Sequence, residues 1–374
     1  MPKILFLASQ NVEGLSDTVF NGLNRLGCSV VEFPYKPFYH CSMKSRKIQV
    51  HAMNGEVIAS EDSNGNLILK NGMNSSRKFA TFSDYKYPIS GLPDVEDYDI
   101  IIAGYLQNKF SLPILARARK SEHQIIFLDG SDYPFIFKTF DARDWYLKRE
   151  LYKSHNMLYK KMISLKEIGI KKTSQIHNEF SISLENSLKN IMFPVILNNR
   201  IKPLNLTITD HSFEEYTGEK IFDVSLIIAP NNAYRRKFSN LFRHFATKYS
   251  LKFFLNVNAR DNSFYAVNWQ DYVKIVQQSR ICISLPGIGF DTYRYWEIPY
   301  YGSCLVSPRL PLNIENDFID MKSAVFFSTF SEFKNKVLKL LESGAWEEIA
   351  RNGHREFSEY HNTIMRAKTV LFNT

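Results

Sequence analysis

At 374 residues, with 44% hydrophobic and 23% charged side chains, the chain is long enough for two globular domains. It has neither the polarity of a disordered chain nor an apolar run long enough to span a membrane. The net charge of +9 favours a polyanionic partner, such as nucleotide phosphates, nucleic acid or an anionic lipid surface, with plain solubility as the alternative.

The chain opens on a short strand-like run, Met1-Pro-Lys-Ile-Leu-Phe-Leu-Ala-Ser9, too short for a secretory leader. A cytoplasmic location is therefore expected, at most peripheral on the inner face of a membrane. Apolar runs with little alternation at residues 3–8, 29–33, 99–103 and 124–129 predict parallel strands covered on both faces. Helical segments at 17–26 and 112–119 separate them, and right-handed crossovers then give a doubly wound sheet. Residues 41–88 interrupt this pattern. Gly55-Glu-Val-Ile-Ala59 and Asn64-Gly-Asn-Leu-Ile-Leu-Lys-Asn-Gly72 read as short strands with Asn-Gly turns, an inserted β-hairpin region or a long lid loop. Lys44, Arg46, Lys47, Lys70, Arg77 and Lys78 make it basic.

Residues 141–154 read as a charged helix, with Lys148 and Arg149 either coating it or facing phosphates. Residues 192–203, with Pro194 and Pro203, read as a connector. Strands are then predicted at 223–229, 252–257, 280–285, 304–307 and 324–328, and helices at 234–249, 269–279, 330–341 and 346–357. The division is a first domain at 1–200, a second at 201–358, and a terminal helix at 359–374 that can pack back on the first.

The richest stretch runs from Ile281 to Ser307. It reads as a buried strand, a turn carrying Gly287 and Gly289, a helix carrying Arg294 and Glu297, a stop at Gly302 and a second buried strand. Such a turn lets a phosphate or sugar approach the backbone, and the helix N-terminus offers free N–H groups to an anion. Glu297 can accept hydrogen bonds from sugar hydroxyls or form a salt bridge with Arg294. Arg294 can grip a diphosphate or orient Glu297. Asp291 and Thr292 are read as helix caps, with sugar contact as the alternative for Asp291. Asp129 and Asp132 end the fourth strand on the cleft side. One of them can act as general base on an acceptor hydroxyl or position it, although Asp-Gly-Ser-Asp is equally turn chemistry. The four cysteines, Cys28, Cys41, Cys282 and Cys304, form no CxxC pair and have no histidine at metal-ligand spacing, so they are expected to be reduced packing residues.

The run from Gly287 to Val306 resembles the donor-site motif of GT-B glycosyltransferases, in particular the bacterial glycosyltransferase family 1-like and exostosin-like type. Two further stretches are similar to patterns of those enzymes and come in the same order. One is Asp129-Gly-Ser-Asp-Tyr133 followed by Trp145-Tyr-Leu-Lys-Arg-Glu-Leu151. The other is Phe222-Asp-Val-Ser-Leu-Ile-Ile228 followed by Asn231-Asn-Ala-Tyr-Arg-Arg236. The resemblance implies an α/β fold of two Rossmann-like βα domains facing across a cleft, with the β-hairpin insertion in the first. It implies transfer of a sugar from a nucleotide-sugar donor to a glycan or polysaccharide acceptor, with no cofactor and no metal. It places Glu297 on the ribose hydroxyls. It also assigns a basic residue of the 231–236 loop, Arg235 or Arg236, to neutralising the departing nucleoside diphosphate, electrostatic stabilisation of a leaving group. Two alternatives stand beside it. A DNA-modifying glucosyltransferase of the same fold is motivated by the net charge and the basic 44–78 region. The other is a nucleotide-binding module without turnover.

Overall fold

The computed structural model describes residues 2–8, 14–33, 49–51, 57–61, 67–69, 74–75, 93–104, 111–132, 143–153, 200–208, 216–230, 232–256 and 269–372. Strand β1 (Lys3–Leu7) leads into helix α1 (Gly14–Arg25) and strand β2 (Ser29–Phe33). Four short strands follow: β3 (Gln49–His51), β4 (Val57–Glu61), β5 (Leu67–Leu69) and β6 (Asn74–Ser75). They form a separate antiparallel sheet in that order. The basic side chains at Lys44, Arg46, Lys47, Lys70, Arg77 and Lys78 lie outside the described residues, as does Cys41.

The parallel pattern resumes with β7 (Ile100–Ala103), α2 (Ser111–Lys120), β8 (Gln124–Asp129), β9 (Trp145–Lys148) and β10 (Ile201–Pro203). These strands join β1 and β2 in one parallel sheet of order β10-β9-β8-β7-β1-β2. Burial explains the unbroken apolar run of β1: Ile4, Leu5, Phe6 and Leu7 are all fully buried, with both faces covered.

Two spans differ from the sequence reading. The predicted charged helix at 141–154 contains a strand, β9, paired with β8 from Ile126–Trp145 to Asp129–Lys148. The local charge density suits a helix, but tertiary pairing overrides it because Tyr146, Leu147 and Lys148 are buried and Lys148 finds its counter-charge on β8. Of the predicted connector, Ile201–Pro203 is the edge strand of the first sheet, and residues 192–199 lie outside the described ones.

The second half contains β11 (Phe222–Ile227), α3 (Ala233–Lys248), β12 (Phe253–Asn256), α4 (Trp269–Gln277), β13 (Ser279–Ile283), α5 (Tyr293–Tyr300), β14 (Cys304–Pro308) and β15 (Val325–Phe327). Helices α6 (Phe330–Ser343) and α7 (Trp346–Glu356), a π-turn at Phe357–His361 and α8 (Thr363–Phe372) complete it. Its parallel sheet has the order β12-β11-β13-β14-β15. The two halves are thus two Rossmann-like α/β domains.

In each sheet the strand order reverses beside the first strand, between β1 and β7 and between β11 and β13. Ligands of such sheets bind beyond the carboxyl ends of the strands at this reversal. Helix α8 returns to the first domain and lies on α1. A Cβ at Gly22 would fall on the Thr363 carbonyl and the Ala367 side chain, and the Arg25 guanidinium donates to Thr363 Oγ1 at 3.2 Å. One apolar cluster therefore runs from Ile4, Phe6 and Val19 to Trp296, Leu305 and Phe357.

Candidate active site

At the reversal of the second sheet, the start of α3 and the turn after β13 are tied together. Asn232 caps α3, its Oδ1 accepting from the Arg235 N–H at 2.8 Å, while its Nδ2 donates to the Gly287 carbonyl at 3.1 Å. The Arg235 guanidinium donates to the carbonyls of Pro286 and Leu285 at 2.8 Å each and of Ala229 at 3.1 Å. Arg235 is thus a buried clamp across both loops. Burial first, and the nearby Arg294 second, lower its pKa to about 10. Its neighbour Arg236 is exposed and donates to the Pro230 carbonyl at 3.0 Å.

The two glycines of the turn serve different contacts. A Cβ at Gly287 would stand 3.3 Å from Arg235 Nη2. A Cβ at Gly289 would stand 2.5 Å from Glu150 Oε1 and 2.6 Å from Asp132 Oδ1, both from the first domain. The missing side chain at 289 is what lets the domains meet. A second meeting point lies at Gly14, where the Tyr293 phenol fills the space of a Cβ.

The predicted caps have other partners. Asp291 is fully buried, its Oδ2 accepting from the Leu206 N–H at 2.6 Å and its Oδ1 from the Trp296 indole at 2.7 Å. It ties the glycine turn to the segment that links the domains. Thr292 holds the N-cap position of α5 in extended conformation, but its side chain makes no capping bond and its Oγ1 lies 3.2 Å from Ser284 Oγ. Helix α5 places Arg294 and Glu297 about one turn apart, and Tyr272 of α4 joins them. Its hydroxyl donates to Glu297 Oε2 at 2.6 Å and its ring lies 5.8 Å beneath the Arg294 guanidinium. In place of the alternative, a direct salt bridge to Arg294, a tyrosine of the neighbouring helix touches both side chains. Burial raises the Glu297 carboxyl, with Arg294 and the Tyr272 hydroxyl opposing. The Arg294 Nε is buried and has no hydrogen-bond partner among the described residues.

On the first-domain side, the two candidate acids part company. Asp129 is sealed: Oδ2 accepts from Tyr146 Oη and Lys148 Nζ at 2.6 Å each, and Oδ1 from the Ser131 N–H at 2.9 Å. Lys148, 1% exposed, is no helix coat; it also donates to Ser131 Oγ at 3.0 Å. Asp132 keeps 38% of its side chain exposed and is paired with Arg149.

Glu150, which follows, is fully buried. Its Oε1 accepts from the Asp291 N–H at 2.8 Å, and its Oε2 has no partner among the described residues. Burial, opposed by Arg149, pushes its pKa up to about 7. Sequence reasoning singled out neither Glu150 nor Asn232 nor Tyr272. Asn232 carried a signal, as an asparagine just before a helix. Glu150 lay within the Trp145–Leu151 motif, and Tyr272 had no local signal. Cys28, Cys282 and Cys304 are free and buried. Among the described residues no group of three His, Cys, Asp or Glu side chains could hold a metal ion, and no helix is long and apolar enough to cross a membrane.

Residues 235–371 match a family model described as glycosyl transferase-like. That span holds α3, the glycine turn, α5 and the return of α8. Among solved structures the chain is similar to TarM, at 10% identity over 100% of this chain and 99% of that one, with a TM-score of 0.48. It is similar to a glycosyltransferase from Rickettsia africae at 10% identity over 100% and 99%, with a TM-score of 0.45. It is similar to sucrose-phosphate synthase from Thermosynechococcus elongatus at 10% identity over 98% and 96%, with a TM-score of 0.44. No curated protein matches the sequence. The match is confined to residues 235–371, and it agrees with the GT-B glycosyltransferase resemblance that the motifs of this part carry.

Proposed function

We propose that the protein transfers a sugar from a nucleoside-diphosphate sugar to a hydroxyl of a glycan or polysaccharide, without a metal ion. One observation supports this above the rest: two guanidiniums, Arg235 and Arg294, stand at the strand-order reversal of the second sheet, close enough that Arg294 lowers the pKa of Arg235. The N-terminus of α3 is tied through Asn232 and Arg235 to the turn that leads into α5. A positive field there suits a diphosphate, and it grows in value as the leaving group gains negative charge.

In this reading Arg294 binds the diphosphate and Arg235 keeps the turn in place to receive it. The Tyr272 hydroxyl takes one oxygen of Glu297, and the other is assigned to a ribose hydroxyl. Asp132, half-exposed and steered by Arg149, is assigned to the acceptor hydroxyl as base or positioning group. Asp129 supports the strand end instead.

The test is a thermal-shift screen against UDP, GDP, ADP, CMP and dTDP, with and without Mg²⁺, followed by calorimetry on Glu297→Ala. Binding of one nucleotide without metal is expected, and the variant should lose roughly 1–3 kcal/mol of that affinity. No binding of any nucleotide or nucleotide-sugar would reject the transferase reading. Binding that depends on Mg²⁺ would reject its metal-free form.

A further inference from the structure

Glu150 belongs to the first domain, on the segment just after β9, yet its carboxyl group binds the backbone of the second domain. Oε1 accepts from the Asp291 N–H at 2.8 Å, and the Phe290 backbone amide also favours the charged carboxylate. Gly289 lies directly against it, with no room there for a Cβ. On its other side, the same turn is held by Asp291, which binds Leu206 and Trp296. Arg366 of α8 in turn donates to the Leu206 carbonyl at 3.1 Å and lies 5.1 Å over the Trp296 ring. The turn thus sits between the first domain, the interdomain segment and the returning C-terminal helix.

We propose that Glu150 is a positioning residue that sets the donor-side turn at residues 287–291 from the first domain, so that donor binding depends on contact between the two domains. The donor part rests on the function proposed above; the placement of the turn does not. The mechanism is steric and electrostatic. A carboxyl oxygen that accepts from a backbone N–H fixes the orientation of that peptide. The Asp291 peptide leads directly into the first turn of α5, where Arg294 stands. Glu150 touches neither donor nor acceptor in this scheme.

The charged and titratable groups around Glu150 come from several elements. Arg149 and Tyr152 lie on its own segment, Asp132 on the loop after β8, and Asp291 on the turn, with Arg366 of α8 acting on Asp291. Burial and Asp291 raise the Glu150 pKa from its ordinary 4.5, and Arg149 opposes them. The folded protein therefore holds a proton at Glu150 in a pH window where the unfolded chain has lost it. This group's contribution to stability is full below the unfolded pKa of 4.5 and declines as pH rises through about 7.

Glu150→Ala and Glu150→Gln, made in the full chain, test the assignment by hydrogen exchange, melting against pH, and calorimetry with the nucleotide selected by the thermal-shift screen. In the alanine variant the Asp291 amide should exchange faster while those of α6 do not, and the nucleotide Kd should rise about tenfold. Glutamine, whose carbonyl can still accept, should restore both. It should also flatten the melting profile between about pH 5 and 8.

Unchanged protection and affinity in a folded alanine variant would overturn the proposal, and so would a uniform loss of protection across the second domain. If the alanine variant does not fold, the parent decides, and an Asp291 amide no better protected than an exposed loop amide would overturn the proposal. Should no nucleotide bind the parent protein, the transferase reading fails, while the exchange of the Asp291 amide still decides the placement of the turn.

Discussion

The two sides of the cleft treat their charges differently. On the first-domain side, Asp129 and Lys148 are buried together at a strand end, with Tyr146 and Ser131 completing their hydrogen bonds. On the second-domain side, Arg294 stands close enough to lower the pKa of Arg235, and Arg235 spends its hydrogen bonds on carbonyls of the two loops. A buried opposite-charge pair reads as structure. Like charges gathered at a helix N-terminus read as a site kept for an anion. Of the two candidate acids, Asp132 is the half-exposed one, and the contrast favours it over Asp129 for the proposed acceptor role.

The contrast can be broken most sharply at Lys148. Lys148→Met leaves the Asp129 carboxylate buried without its cation and should cost roughly 3–5 kcal/mol of stability in chemical denaturation. A loss below about 1 kcal/mol would show that the pair does not hold the fold and would return Asp129 to the catalytic candidates. Gly289→Ala probes the surface where the sides meet. The new Cβ would press on Glu150 and Asp132, and a loss of roughly 1–3 kcal/mol is expected, with weaker nucleotide binding by calorimetry. A variant as stable and as tight-binding as the parent would mean that the domains do not meet there in solution. Arg236→Ala sharpens the distinction within the adjacent arginines. Being exposed, it should change stability by less than about 0.5 kcal/mol. Undiminished nucleotide affinity would leave the diphosphate to Arg294, and a clear drop would add Arg236 to that contact.

Legibility followed locality. The stretch from β13 through the glycine turn and α5 to β14 was readable because each step has a short-range cause: an apolar run, a glycine pair, a periodic helix and a glycine stop. The same holds for α3, although its asparagine cap was passed over despite its local signal. Strand β9 was misread because Lys148, Arg149 and Glu150 look like a solvated helix surface. Their burial depends on counter-charges contributed by residues 129 and 132 and on the backbone amide of residue 291. The role of Tyr272 was hidden for a similar reason, since its partner Glu297 lies on another helix.

The sequence by itself determined the two βα repeats, the place of the glycine turn, and the presence of Arg294 and Glu297 on the helix after it, because periodicity and turn chemistry act over a few residues. Only the tertiary structure decided how these groups are used. It made Arg235 a clamp, Asp129 half of a sealed pair, Asp291 a tie to the interdomain segment and Glu150 a contact across the cleft. Burial, counter-charge and hydrogen-bond partners for these side chains come from residues distant in the chain, and those distances close only when the two sheets and the returning helix pack together.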